Sequence, residues 1–335
     1  MSRHRDRGWP EPPEPLPVPT VDNHTHLESV LEVTYPFPPA PATPDSGVPR
    51  TADHGPDVTG VTGGGARVAE GGAGLVGHLA AAAAVGVTRM VQVGCDLESA
   101  AWTDAAVREH DQLLGAVAIH PNEAVLHAGV REVAPDGLEP DPRPRHEVPL
   151  DEAVALVAGL ARGNARIRAI GETGLDLFRA GPRGRAVQRE AFRAHVALAK
   201  ELGLALQIHD RDAHDEVVEV LEADGAPERT VFHCFSGDAA LARTAVAHGW
   251  FCSFAGPVSF PANEGLRAAL REVPPSLLLV ETDAPYLTVH PHRGRPNAPY
   301  LLPGAVRMIA QTQVRDLADV CERLAATAQE VYGPW

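Results

Sequence analysis

DEAVALVAGLARGNARIRAIGETGLDLFRAGPRGRAVQREAFRAHVALAKELGLALQIH (151–209) reads as helix, strand, helix, strand, and that order decides the fold. DEAVALVAGLAR (151–162) and QREAFRAHVALAKELG (188–203) carry helical spacing. In the second, Phe192, Val196 and Ala199 share a face at i, i+4 and i+7. RIRAIGE (166–172) and LALQIH (204–209) are short apolar runs, each closing on a polar residue. Near-continuous apolar strands between helices are the pattern of parallel strands covered on both faces.

The alternation continues in both directions. Upstream lie VPTVDNHTHL (18–27), a helix over 74–86, RMVQVG (89–94), a helix over 98–110 and LLGAVAIH (113–120). Downstream come a helix over 213–223, TVFHCF (230–235), a helix over 238–249 and WFCSFAG (250–256). A helix over 263–273, LLLVETD (277–283) and a helix over 316–333 complete the series. Eight strands alternating with helices predict an α/β fold, a closed (β/α)8 TIM barrel. The rival, an open doubly wound sheet, calls for a glycine-rich nucleotide loop. GGGARVAEGG (63–72) follows no strand and matches neither known spacing.

The 335 residues divide into a disordered leader over 1–17 and a single barrel domain over 18–335. Two Pro/Gly/Asp-rich insertions, at about 31–73 and 131–149, interrupt the barrel. The N-terminus has no apolar core for a signal peptide, and no apolar run is long enough to span a membrane. Four cysteines without a CxxC pair suit a reduced, cytoplasmic chain, expected to be monomeric with no protein partner. A net charge of -15 argues against a general nucleic-acid-binding surface. It leaves room for a nucleic-acid substrate, because cations in a cleft reverse the local potential.

Six residues stand at or just past the ends of these runs: His24, His26, Glu172, His209, His233 and Asp283. His24 and His26 lie two apart, on one face of a strand. Each of the six has a plain structural role open to it, as turn residue, salt-bridged carboxylate or hydrogen-bonding histidine. Their repetition at the C-terminal ends of successive strands, where barrels of this type carry their chemistry, favours a common site. Imidazoles with carboxylates favour zinc, manganese, cobalt, nickel or iron over calcium. A pair of ions sharing a carboxylate suits hydrolysis by an activated water, with an aspartate to receive its proton.

Together, DNHTHL (22–27), AIHPNE (118–123), IGETGLDLF (170–178), LQIHDRDAHDE (206–216), FHCFSG (232–237) and ETDAPYLTVHPHRGRPNAP (281–299) resemble the TatD family of metal-dependent hydrolases. The resemblance runs over roughly 18–330 apart from the two insertions. It implies a DNase, a 3′–5′ exonuclease on single-stranded DNA ends, using two divalent ions (magnesium, manganese or zinc). His24 and His26 would hold the first ion, His209 and His233 the second, with Glu172 bridging. Asp283 would ligate the first ion and act as catalytic base. His120 would lie near the substrate. Arg211 and Arg295 offer forked donors for phosphate, with Arg179 a third candidate. Cys234 is expected to face the core, and Phe235 and Tyr286 to stack on a base or line the rim. A deacylase or lactonase on the same barrel is the main alternative, and a non-enzymatic scaffold the other. The lysine-bridged branch of such hydrolases is disfavoured because Lys200, within a helix, is the chain's one lysine.

Overall fold

The computed structural model describes residues 7–35, 37 and 74–335. Eight parallel strands form one sheet in sequential order. They are β1 Thr20–Thr25, β2 Val87–Gly94, β3 Leu113–Val117, β4 Ile167–Asp176, β5 Ala205–Arg211, β6 Thr230–Phe232, β7 Phe251–Phe254 and β8 Leu278–Val280. The seam between the last strand and the first is drawn together by Asp283 N–H donating to His24 O at 3.0 Å. The expected eight-stranded TIM barrel is what the chain forms.

The helices are α1 Leu27–Leu31, α2 Leu75–Ala84, α3 Leu97–Glu109, α4 Pro121–His127, α5 Leu150–Gly163, α6 Pro182–Leu202, α7 His214–Asp224, α8 Ala239–Ala247, α9 Glu264–Glu272, α10 Leu302–Gln313 and α11 Leu317–Tyr332. Local chemistry sets their ends. Asp96 caps α3 by accepting from Ser99 N–H at 2.8 Å while Ser99 Oγ reaches back, a capping box. Gly203 closes α6 at φ 61°, the left-handed conformation that ends helices.

Val21, Val91, Val93, Leu114, Ala116, Ala169, Ala205, Val231 and Leu279 fill the barrel interior. A larger apolar layer lies between sheet and helices, with Phe192, Phe232, Phe254, Ile167 and Ile170 all fully buried. Gly174 has φ 144°, and a Cβ there would meet His209 O at 2.1 Å. The second glycine of GETGLD therefore lets β4 and β5 close up immediately beside two of the polar strand-end residues.

The expected disordered leader fails for residues 7–17. Trp9 and Leu16 are buried. The Trp9 ring meets Phe37, His78 and Tyr300, and Tyr300 Oη donates to Pro10 O at 2.6 Å. Proline content suggested disorder, but it also suits an extended strap lying in an apolar groove. Residues 1–6 and most of the expected 31–73 insertion (36 and 38–73) lie outside the described residues. The expected 131–149 insertion contains a 3-10 turn, Pro144–Glu147.

His195, fully buried on α6, accepts from Ile119 N–H through Nε2 and bonds Ala191 O through Nδ1. Burial lowers its pKa to about 4, against a smaller opposing effect of the Ala191 carbonyl. The unfolded chain then binds a proton between pH 6.5 and 4 that the folded chain does not. Stability is retained above pH 6.5 and falls as pH drops through that window, by ~3 kcal/mol at most. Urea midpoints measured from pH 7 to 4.5 should fall less steeply for His195→Gln than for the native chain. Equal slopes contradict this account.

Candidate metal centre

The mouth at the C-terminal ends of the strands holds a cavity of about 1240 Å³, lined among others by His26, His120, Glu172, His209, His233 and Asp283. His24 lies buried beneath them. All six residues singled out at strand ends therefore meet in one place.

His24 and His26 put their Nε2 atoms 3.2 Å apart. Asp283 Oδ1 lies 3.8 Å from the first and 3.4 Å from the second. Glu172 Oε2 lies 3.6 and 3.8 Å from the same two atoms. Ligands bonded at about 2.0–2.2 Å in a tetrahedron stand about 3.3–3.6 Å from one another. His24, His26 and Asp283 thus have the span of a divalent-ion site, with Glu172 Oε2 close to both histidines. His26 Nδ1 sits 3.0 Å from Val93 O, so it carries the ring proton and leaves a lone pair on Nε2 facing the cage. Asp283 holds its carboxylate there from a backbone at φ 54°, a conformation aspartate tolerates better than most residues.

A second group gathers on the other oxygen of Glu172. His209 Nδ1 is 2.5 Å and His233 Nε2 2.9 Å from Glu172 Oε1. His233 Nδ1 bonds Glu281 Oε1 at 3.0 Å, which orients a lone pair on Nε2 toward Glu172 in the neutral ring. A lone pair facing a carboxylate oxygen at 2.9 Å requires a proton or another cation between them. Burial alone would raise the Glu172 pKa, yet the charges of His233 and His120 and hydrogen bonds from His209 and His233 hold it well below the carboxylate range. Burial opposes protonation of His209, but Asp176 and Glu172 carry it up to about 9. The pocket is built to stabilise positive charge around Glu172.

His120 plays a different part. It caps α4, its Nδ1 accepting from Asn122 N–H at 3.1 Å. The neutral ring therefore carries its proton on Nε2, 3.7 Å from Glu172 Oε1. His120 offers a donor to the cleft. Burial lowers its pKa to about 4, with Glu172 opposing.

Beneath the cage lies a buried polar floor. Glu281 Oε1 also accepts from Cys234 N–H at 2.7 Å. Its Oε2 accepts from Ser253 Oγ at 2.5 Å and from Asn23 Nδ2 at 3.2 Å. Asp22 accepts from Thr282 N–H and Oγ1 at 2.9 and 2.5 Å, tying β1 to the segment after β8. Tyr332 on α11 donates to Asn23 Oδ1.

A profile of TatD-related DNases matches residues 21–333. The chain belongs to the TatD-related DNase family. This TatD-family chain is 43% identical over 256 residues to the uncharacterized metal-dependent hydrolase TatD of Mycobacterium tuberculosis, covering 75% of this chain and 88% of that one. It is 33% identical over 248 residues to a Cronobacter sakazakii protein named 3′-5′ ssDNA/RNA exonuclease TatD, covering 72% and 84%. Its fold matches that of the TatD homolog YjjV from Escherichia coli K12 with a TM-score of 0.65 at 22% identity, covering 77% and 90%. The TatD-family chain is a metal-dependent hydrolase acting on ester bonds, with His, Glu and Asp clusters able to bind metal ions. Among the described residues, no helix is long and apolar enough to cross a membrane.

The substrate-side expectations divide. Arg211 and Arg179 line the cleft. The Arg211 guanidinium sits 4.0 Å over the Phe178 ring, while Arg179 pairs with Asp136 at 3.2 Å. Arg295 does not belong with them. Its fork donates to Gly8 O at 2.7 Å and to Trp9 O, holding the N-terminal strap. Phe235 is buried in the core, and Tyr286 is exposed at the rim. Cys234 lines the cleft, contrary to the expected core position. β6 ends at Phe232 and Cys234 turns to φ 42°, so strand alternation no longer applies there.

Sequence reasoning missed Cys95, Asp176 and Glu281. Cys95 Sγ lies 3.4 Å from Glu172 Oε2. Asp176 Oδ2 accepts from Asn122 Nδ2 at 3.0 Å and stands 3.4 Å from His209 Nε2. The available signal was position: Asp176 ends β4, and Cys95 and Glu281 directly follow β2 and β8.

Proposed function

We propose that this chain hydrolyses DNA phosphodiester bonds from the 3′ end of a single strand, using two divalent ions, magnesium, manganese or zinc. The observation that carries the reading is the span of the cage formed by His24, His26 and Asp283, with Glu172 close to both histidines. The name of the Cronobacter sakazakii relative supports the substrate and the direction. His24, His26, Glu172 and Asp283 would hold one ion, and Glu172, His209 and His233 the other. Bound divalent ions supply Lewis acidity, which activates water and offsets charge on phosphoryl oxygens.

The chain's own groups do the rest. Asp283 receives the proton of the attacking water. His120 donates from Nε2 to a phosphoryl oxygen. Arg211, braced on Phe178, offers a fork to the neighbouring phosphate. At about 1240 Å³ the cavity exceeds the ~300–1,000 Å³ of ordinary small-molecule pockets, which favours a polymer end over a small amide or lactone. Lys200 donates to Asp224 O at 2.7 Å, away from the mouth, so it offers no bridging group for a lysine-bridged amidohydrolase.

The test is product release from single strands labelled at either end, with magnesium or manganese added to purified protein. Mononucleotides should appear first from the 3′ label. Release first from the 5′ label overturns the direction, and no release under either ion overturns the activity.

A further inference from the structure

We infer that Arg143, on the 131–149 insertion, is a strand-binding residue that grips a backbone phosphate away from the bond being cut. This deepens the nuclease reading and rests on it. The cavity wall carries both charges. Glu28, Glu32, Asp96 and Glu98 line it along with Arg143, Arg145, Arg179 and Arg211. A polyanion must keep to the arginines, and the question is which of them are free to serve it.

Arg145 is not. Its guanidinium is enclosed by Glu98 at 2.6 Å, Glu123 at 2.7 Å and Asp96 at 3.5 Å. Arg179 is held by Asp136, whose carboxylate is almost fully buried. Arg143 pairs in open solvent. Its partner, Asp141 at 2.5 Å, has a side chain 71% exposed, and Arg143 itself is 58% exposed. An exposed pair of this kind is worth little, so a phosphate can displace it.

The backbone of Arg143, in contrast, is fixed. Arg143 N–H donates to His146 Nδ1 at 2.7 Å and Arg143 O accepts from His146 N–H at 2.9 Å. His146 Nε2 then carries the ring proton and donates a hydrogen bond to Glu123 Oε2 at 2.8 Å. His127 Nδ1 bonds Val148 O at 2.8 Å. Glu123 and His127 lie on α4, the helix that begins beside His120. The His127–His146–Glu123 group has the composition of a cation site, but the donor on His146 Nε2 makes it a clip. It fastens the segment to the helix that His120 caps, and holds the Arg143 guanidinium at the rim, paired with the exposed Asp141. A fixed backbone with an available fork is the arrangement that binds phosphate at low entropic cost.

The test measures binding of a phosphorothioate-linked single strand, which resists cleavage with magnesium, to the magnesium-loaded full chain by fluorescence anisotropy. Arg143→Gln should raise Kd about tenfold and reduce the slope of log affinity against log salt by about 0.7, the share of one phosphate contact on a single strand. Arg143→Lys should recover part of the loss. KM for a cleavable strand should rise by the same factor, with kcat held. Arg162→Gln removes the same charge from an exposed pair with Glu201 on the outer helices and should leave Kd unchanged. Equal Kd for Arg143→Gln and the native chain, or an equal loss in Arg162→Gln, overturns the assignment. If the native chain binds the strand but cleaves none under any ion, the nuclease reading falls while the binding result still decides the role of Arg143.

Discussion

Replacing Glu172 by glutamine is expected to lower DNA hydrolysis at least about a thousandfold, the scale of several kcal/mol of lost charge stabilisation. Both Glu172 oxygens are committed. Oε2 faces His24 and His26, and Oε1 faces His209 and His233. Glutamine keeps the shape but replaces one oxygen by an amide donor and removes the charge that the surrounding imidazoles stabilise. Whichever way the amide turns, one of the two groups loses the anionic oxygen that would complete its ion's ligands. Metal content per chain should fall in parallel, with circular dichroism unchanged because the residue lies at the barrel mouth. A variant that keeps both its metal content and its activity would remove Glu172 from the centre of the mechanism.

Glu281→Gln should cost about 10–100-fold in metal affinity or activity, the usual effect of losing the group that orients a ligating histidine. Glu281 takes four donors on two oxygens, from His233 Nδ1, Cys234 N–H, Ser253 Oγ and Asn23 Nδ2. Glutamine can accept on one oxygen only, so its amide must face either the His233 side or the Ser253 side. In the first case His233 loses its tautomer lock, and in the second the buried floor holds opposed donors. The defect should be partly rescued by excess manganese, because it acts on affinity for the ion. Titration of manganese against activity reads this directly. An unchanged manganese midpoint leaves Glu281 with a structural role alone.

The barrel was legible because its strands are continuous apolar runs separated by helices of ordinary length. α4 and α10 were not recognised. α4 is seven residues long and opens on Pro121, and α10 opens just after Pro299 and contains Pro303. Proline in a first turn reads as a breaker when the preceding cap is not visible. The leader failed for a related reason. Composition reports a lack of helix or strand, and Trp9 shows that a segment without either can still be packed.

At the site, the six strand-end residues were found by position, which a barrel converts into proximity. The groups beneath them were harder to see. Asp22 lies inside β1, two residues before His24, while Glu281 directly follows β8, which ends at Val280 and not at the expected Asp283. Arg295 was mistaken because a forked donor in a family motif is equally suited to backbone carbonyls. Only the positions of Gly8 and Trp9 reveal which it serves.

The central claim is that the cage at the barrel mouth holds divalent ions. Crystals of the full chain grown with manganese, with data collected at its absorption edge, test it most directly. The account predicts one anomalous peak among His24, His26, Glu172 and Asp283, and a second beside Glu172, His209 and His233. A map with no peak at either position, or with its only peak at Glu123, His127 and His146, would contradict it.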